Sequence, residues 1–138
     1  TDIQYVDLDN AWDFTKTQQR FYRNTLKVAN RASEIWLTKT NPSPSFILQL
    51  GDVIDGQNAT KANLICKDAN KSDEEKKSIV VAEALRRVKE SIQYDKLPSF
   101  YNLIGNHELY TMSREQMQSE LNIGVDKAWH AFEPHPSL

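Results

Sequence analysis

Several features are scarce in this chain of 138 residues, and each scarcity excludes a class of protein. The single cysteine, Cys66, cannot form an internal disulfide, and no adjacent base marks it as a nucleophile. We therefore expect a reduced thiol without a catalytic role and a cytoplasmic location. The formal net charge of −2 gives the chain no excess positive charge to attract nucleic acid or an anionic membrane. No apolar run approaches the roughly 20 residues that span a bilayer, so we predict a soluble protein.

Glycine is also scarce, with four residues in the chain. No stretch is rich enough in Gly, Ser or Pro to act as a linker between two domains. Residues 1–6 alternate polar and apolar side chains, as the end of a strand does, but the beginning of that strand is absent. We therefore predict a single, partial domain over residues 1–138.

The remaining sequence alternates between short apolar runs and longer amphipathic patterns. The apolar runs predict strands over 46–50 and 99–104, the first of them buried. The amphipathic patterns predict helices over 17–37 and from Ser72 to about Tyr94, the second opened by a capping box of Ser72 and Glu75. A second capping box, Ser113 with Gln116, opens a short helix that ends near residue 121. The order of strands and helices predicts an α/β fold, with a mostly parallel sheet covered by helices.

Two polar loops follow the predicted strands and carry the candidate chemistry. The first is Gly51-Asp52-Val53-Ile54-Asp55-Gly56, and the second is Gly105-Asn106-His107-Glu108. The carboxyl ends of neighbouring parallel strands meet at one edge of a sheet, which is where ligands bind in open α/β folds. We therefore expect the polar side chains at these ends to share one site: Asp2, Gln4, Asp52, Asp55, Asn106 and His107.

Carboxylate, amide and imidazole groups together suit a divalent ion such as Mn²⁺, Fe²⁺ or Zn²⁺, and the lack of thiolates argues against a structural zinc site. Two ions a few ångströms apart need a bridging ligand, for which Asp52 is our candidate. Such ions can activate a water and clamp a phosphoryl group, while His107 protonates the leaving group. Each loop taken alone is better explained as an ordinary turn, because glycine tolerates positive φ and Asp or Asn caps its own backbone. The occurrence of both loops, each behind an apolar strand, favours a site.

The two loops resemble the second and third signature blocks of the calcineurin-like metallophosphoesterases. That superfamily usually opens with Asp-x-His, whereas this chain has Asp2-Ile3-Gln4. A glutamine at this place is similar to one subgroup, the manganese-dependent ADP-ribose/CDP-alcohol diphosphatases. The stretches Arg20-Phe21-Tyr22-Arg23 and Gly56-Gln57-Asn58-Ala59 also resemble that subgroup, and the likeness covers residues 1 to about 121.

The resemblance implies two divalent metal ions, with Mn favoured over Fe, Zn or Mg. It implies Asp2 and Gln4 on one ion, Asp52 as the bridge, Asn106 on the second ion and His107 as the acid. The role of Asp55 stays open between a metal ligand and a group that orients a ligand or the following loop.

The family also has a fourth-block histidine and a closing Gly-His-x-His block, and this chain has neither. The resemblance therefore implies the N-terminal half of an α/β/β/α sandwich. His130 and His135 lack the glycine, the spacing and the preceding apolar strand, so we expect them to be solvated rather than metal ligands. A missing second half predicts an exposed apolar sheet face and, from that, self-association.

The sequence thus predicts a metal-dependent hydrolase that uses an activated water on nucleoside-diphosphate-linked substrates such as ADP-ribose or CDP-alcohols. One alternative is a phosphomonoesterase or cyclic-nucleotide phosphodiesterase on the same dinuclear site, since the loops encode metals rather than substrate. Another is a non-catalytic, truncated metal-binding fragment. The absent histidine blocks support this last alternative and leave the activity of the isolated chain open.

Overall fold

The computed structural model describes residues 2–13 and 15–121. Its helices and strands follow in the order β1 (Ala11–Trp12), β2 (Gln19–Arg20), α1 (Asn24–Thr38), β3 (Phe46–Gln49), α2 (Gln57–Thr60), α3 (Ala62–Ile65), α4 (Asp73–Ser91), a 3₁₀ turn (Tyr94–Lys96), β4 (Ser99–Asn102), α5 (Asn106–Thr111) and α6 (Arg114–Leu121). The predicted α/β class is confirmed. His130 and His135 lie outside the described residues.

The sheet that positions the candidate site is parallel. β3 pairs with β4, with Gln49 opposite Asn102, so both strands end at the same edge. The start of the chain runs parallel to the loop after β3, where Tyr5 forms a bridge with Ile54. The chain start and the ends of β3 and β4 therefore lie side by side, which confirms the predicted convergence of strand ends.

The core lies where α4 covers this region. The predicted apolar stripe of α4 supplies Val81, Leu85 and Val88, each at most 3% exposed, and they pack with Tyr5 and Ile54. Removing each such aliphatic side chain from water contributes about 1.5–3 kcal/mol. This packing holds the chain start against the loop that follows β3.

Both predicted capping boxes are confirmed. At the start of α4, the Ser72 Oγ accepts the Glu75 N–H at 3.3 Å, and the Glu75 carboxylate accepts the Ser72 N–H at 2.8 Å. At the start of α6, Ser113 and Gln116 make the same two bonds, at 3.2 and 2.9 Å. These exchanges satisfy backbone donors that a helix cannot pair internally, so four side chains set where two helices begin.

The helix predicted over 17–37 is wrong in its first third. α1 begins only at Asn24, and residues 19–20 form an antiparallel hairpin with residues 11–12 instead. The Asp13 carboxylate accepts the backbone N–H of Thr17 at 2.8 Å and of Gln18 at 3.2 Å. This local side-chain hydrogen bonding stabilises a turn, and the turn competes with the helix that the apolar spacing favours.

Two other segments are more ordered than the sequence predicts. The polar connection after residue 56 has no clear apolar period, which is typical of irregular structure, yet it contains the short helices α2 and α3. The sequence predicts a polar loop after β4, yet the chain becomes helical, as α5, at Asn106. Within the described residues, no helix is both long and apolar enough to cross a membrane.

β3 is buried on only one face, so the prediction of a buried strand is wrong for the other. Phe46 and Leu48 are 59% and 48% exposed, and Tyr101, opposite Leu48, is 56% exposed. The side chain of Gln49, which points to the other face, is only 4% exposed. The apolar face that the sequence predicts to be exposed is therefore present, while self-association stays a prediction.

Candidate metal centre

Three chain segments bring the predicted site residues together. The N–H of Gln4 donates to the carbonyl of Asp52 at 3.0 Å, which fixes the chain start beside the first polar loop. The N–H of His107, in the first turn of α5, donates to Asp52 Oδ1 at 3.0 Å. The structure thus places on adjoining segments five of the residues predicted to form the site: Asp2, Gln4, Asp52, Asn106 and His107.

The two polar loops are joined by the carboxylate of Glu108, which is fully buried. Its Oε2 accepts the N–H of Asp52 at 2.8 Å and of Gly105 at 2.9 Å. Its Oε1 accepts the N–H of Val53 at 2.7 Å and of Ile54 at 3.4 Å. A buried carboxylate is costly unless hydrogen bonds replace its hydration, and here four backbone donors do so. Sequence reasoning placed Glu108 in the motif without a role, although a glutamate three residues after a helix-opening position is a capping signal.

The backbone of the site lies in sparsely populated conformations. The φ angles of Asp2, Gln4 and Asp52 are 56°, 45° and 58°, in the left-handed region that side chains disfavour by roughly 1 kcal/mol or more. Such strain persists where the surrounding structure holds it, and it clusters at functional sites. Here the Glu108 carboxylate holds the amide of Asp52 in place.

The two loops approach so closely at positions 51 and 105 that only glycine fits there. A Cβ built on Gly105 would lie 2.1 Å from Asp52 Oδ1, and one on Gly51 would lie 2.6 Å from the Gly105 nitrogen. Gly51 also has a φ of 97°. The glycines of the two motifs therefore have a direct role, because they let the two strand ends come into backbone contact.

The imidazole of His107 is oriented by the first loop. Its Nδ1 accepts the N–H of Gly56 at 2.8 Å, so the ring proton is on Nε2. That Nε2 lies 3.4 Å from the amide nitrogen of Gln4. The Gln4 amide nitrogen is also a donor, so these two nitrogens do not bond to each other, and the Nε2–H of His107 is available for a leaving oxygen. Its role as an acid stays a prediction.

Arg20 reaches this site from the β1–β2 hairpin. Its Nη1 donates to Gln4 Oε1 at 2.8 Å and lies 3.5 Å from Asp55 Oδ2. The amide oxygen that would bind a metal therefore already accepts a hydrogen bond. Sequence reasoning missed this contact because it placed Arg20 in a helix, although Arg20 lies in one of the stretches that resemble the diphosphatases.

Asp55 is 3% exposed and contacts several groups around the site. Its Oδ1 accepts the N–H of Gln57 at 2.8 Å, at the start of α2, and its Oδ2 lies 3.9 Å from His107 Nδ1. The negative charge of Asp55 also affects the neighbouring Tyr22. Burial first, and then the Asp55 carboxylate, raise the pKa of the Tyr22 phenol. These contacts tie Asp55 to the start of α2 and to His107, and its role stays a prediction.

The donors present fit part of a dinuclear metal site. Carboxylates and amide oxygens are ligands for hard or borderline divalent ions such as Mn²⁺ and Mg²⁺, which bind about six ligands each. In residues 2–13 and 15–121, however, no group of three or more His, Cys, Asp or Glu side chains is placed to hold a metal ion. The residues that would hold an ion are two carboxylates and two amides: Asp2, Asp52, Gln4 and Asn106.

Comparison with solved structures defines the class of fold. The chain superposes on the crystal structure of a dimetal phosphatase from Danio rerio with a TM-score of 0.64 and 24% sequence identity, covering 86% of this chain and 31% of that one. The predicted fold class, part of a metallophosphoesterase-type α/β sandwich, is therefore confirmed. No family model matches the chain.

Comparison with curated sequences shows which proteins of this class the chain resembles. The chain is 42% identical over 123 residues to the manganese-dependent ADP-ribose/CDP-alcohol diphosphatase of Xenopus tropicalis, covering 88% of this chain and 30% of the relative. It is 33% identical over 140 residues to the Homo sapiens protein of that name, covering 99% of this chain and 35% of the relative. The chain thus spans about a third of the length of these relatives. The resemblance to the manganese-dependent ADP-ribose/CDP-alcohol diphosphatases, predicted from the two loops and Gln4, is confirmed.

Proposed function

We propose that this chain provides the metal-binding loops of a metal-dependent hydrolase acting on nucleoside-diphosphate-linked substrates such as ADP-ribose or CDP-alcohols. The observation that carries the proposal is the contact of His107 N–H with Asp52 Oδ1 at 3.0 Å, which joins the ends of two parallel strands at one polar site. The names of the relatives support the substrate class and the choice of manganese.

In this proposal, two divalent ions, Mn²⁺ before Fe²⁺, Zn²⁺ or Mg²⁺, are held in part by Asp2, Gln4, Asp52 and Asn106. When bound, such ions supply an activated water and neutralise charge on a phosphoryl group. The chain's own residues position the groups that take part in the reaction. His107 directs its Nε2–H to the leaving oxygen, and Glu108 fixes the separation of the two loops.

The proposal extends to the setting of the chain. In this proposal the chain is one partial domain over residues 1–138. Its substrate is a small nucleotide or phosphoester, and its location is cytoplasmic. The proposal includes no nucleic acid or membrane partner, for which the net charge of −2 offers no attraction. The exposed apolar face around Phe46 and Leu48 supports self-association or cover by further protein.

A substrate comparison tests the proposed reaction. With Mn²⁺ present, we expect the protein, in the form in which its gene expresses it, to hydrolyse ADP-ribose or a CDP-alcohol. The kcat/KM for these substrates should be higher than that for a cyclic nucleotide or a simple aryl phosphate. Asp52→Asn should lower that kcat/KM by about 100-fold or more, because it removes a charged ligand. The exposed Asp68→Asn is the matched control and should leave it unchanged. An aryl phosphate or cyclic nucleotide as the best substrate would contradict the proposal.

The second candidate, a non-catalytic metal-binding fragment, is favoured by the small number of charged ligands in the described residues. Equilibrium dialysis of the 138-residue chain with Mn²⁺ separates the candidates. Weak or single occupancy would support the fragment, whereas two tightly held ions per chain would contradict it.

A further inference from the structure

A cavity of about 220 Å³ lies between α3 and α4, and none of the residues proposed to bind a metal lines it. Its walls are mostly apolar side chains, supplied by Ile65 of α3 and by Ile79, Val80 and Ala84 of α4. An apolar cavity of about 150 Å³ holds one benzene molecule. This cavity therefore has room for a single six-membered ring with a small substituent.

One polar side chain in the wall of this cavity has an unsatisfied atom. Asn58 is 1% exposed, and its Nδ2 donates to the carbonyls of Tyr5 at 2.7 Å and of Asp55 at 2.9 Å. These two bonds fix the orientation of the amide, because the opposite orientation would place oxygen against oxygen. The Oδ1 of Asn58 accepts no hydrogen bond from the residues that the structure describes. A buried acceptor without a partner is unfavourable, so the cavity favours a molecule that donates a hydrogen bond.

The charged side chains that line the cavity neutralise one another. Arg87 Nη1 donates to the Tyr5 hydroxyl at 3.0 Å and to Asp7 at 2.9 Å, and its Nε donates to Glu83 at 2.8 Å. An ion entering an apolar cavity loses its hydration and needs an unpaired opposite charge to replace it. Because both carboxylates already have an arginine partner, the cavity favours a neutral ligand over an ammonium or a carboxylate.

We propose that this cavity binds a neutral aromatic molecule of one ring that carries an O–H or N–H donor, with the donor bonded to Asn58 Oδ1. The volume sets the size of the ring, the apolar walls pack against its faces, and Asn58 selects the donor. The site is separate from the candidate metal centre, and the inference does not rest on the proposed hydrolase activity. Cys66 also lines the cavity and is half-buried. As the single cysteine of the chain, it provides a specific reporter of occupancy.

The test compares phenol with toluene, which has nearly the same size but no donor. It uses the protein in the form in which its gene expresses it. Phenol should shift the amide NMR signals of Asn58, Cys66 and Val80, and it should slow the alkylation of Cys66 by iodoacetamide in proportion to occupancy. Toluene should bind at least about tenfold more weakly, because it leaves Asn58 Oδ1 unpaired. Anisole, the methyl ether of phenol, should bind as weakly as toluene.

Asn58→Leu removes the acceptor and should abolish the preference for phenol over toluene. Asn63→Leu is the matched control, because Asn63 is an exposed residue of α3 outside the cavity, and it should leave the preference unchanged. Asn58 also donates two structural hydrogen bonds, so the three wild-type titrations decide the inference if Asn58→Leu does not fold. Equal affinities for phenol, toluene and anisole would overturn it. So would shifts confined to other parts of the protein, or no shifts up to about 10 mM phenol, in which case the cavity holds only water.

Discussion

Replacing Glu108 by glutamine is the most direct perturbation of the centre that joins the two loops. The substitution keeps the shape of the side chain but replaces one carboxylate oxygen by an NH₂ group. Each oxygen of Glu108 faces two backbone donors: Asp52 and Gly105 at Oε2, and Val53 and Ile54 at Oε1. Whichever way the amide turns, two buried N–H groups then face another donor.

The expected cost follows from these contacts. A hydrogen bond to a charged group contributes about 1.5–3 kcal/mol, and an unsatisfied buried donor costs about 1–3 kcal/mol. Losing two such bonds should lower the free energy of unfolding by about 3–5 kcal/mol, which is a large part of the 5–15 kcal/mol typical of a domain. Glu75→Gln is the matched control. Glu75 also accepts a backbone N–H, that of Ser72 at 2.8 Å, but its side chain is 52% exposed, so water can replace the lost contact and we expect a much smaller loss than for Glu108→Gln.

Urea unfolding measures the total effect, and amide hydrogen exchange locates it. For Glu108→Gln, the unfolding midpoint should fall by about 2 M at an unchanged m-value. The amides of Asp52 and Gly105, or those of Val53 and Ile54, should exchange at least about 100-fold faster, and amides in the middle of α4 should change only with the global stability. A loss no greater than that of Glu75→Gln, or unchanged exchange at all four amides, would refute the reasoning.

Two further predictions concern packing and pH. Gly105→Ala should destabilise the protein by several kcal/mol and weaken Mn²⁺ binding, because its Cβ would lie 2.1 Å from Asp52 Oδ1. Gly56→Ala is the control: the nearest atom to its Cβ would be 3.6 Å away, so equal losses in calorimetry would contradict the argument. Hydrogen bonds from Arg86 and Arg87 lower the pKa of Glu83 to about 2. Because this pKa is depressed, the stabilisation is present above the ordinary value of 4.5 and is lost as the pH falls toward 2. Glu83→Gln should therefore cost less than about 1 kcal/mol at pH 7, since the carboxylate is 39% exposed, and urea unfolding should show the difference shrinking below pH 4.5; an undiminished difference at pH 3 would disprove it.

Features that depend on near neighbours in sequence were predictable. The capping boxes at Ser72 and Ser113 and the stripe of Val81, Leu85 and Val88 follow from spacings of three or four residues, which bring side chains onto one helix face or turn. The meeting of the two polar loops was also predictable, because parallel strands with a helical connection must end at one edge. The hairpin at residues 19–20 was not, because Asp13 forms a turn where the apolar spacing favours a helix.

The sequence by itself determined the α/β order of elements, the two glycine-bounded loops and the family that they resemble. These depend on the identity and spacing of residues close together in the chain. Only the tertiary structure decided that Glu108 joins the loops across 56 residues and that Arg20 contacts Gln4 across 16. Such contacts arise from the packing of α4, the sheet and the hairpin, and no local spacing encodes them. The strand ends that the sequence marked as a site are therefore held in place by groups whose roles became visible only in the fold.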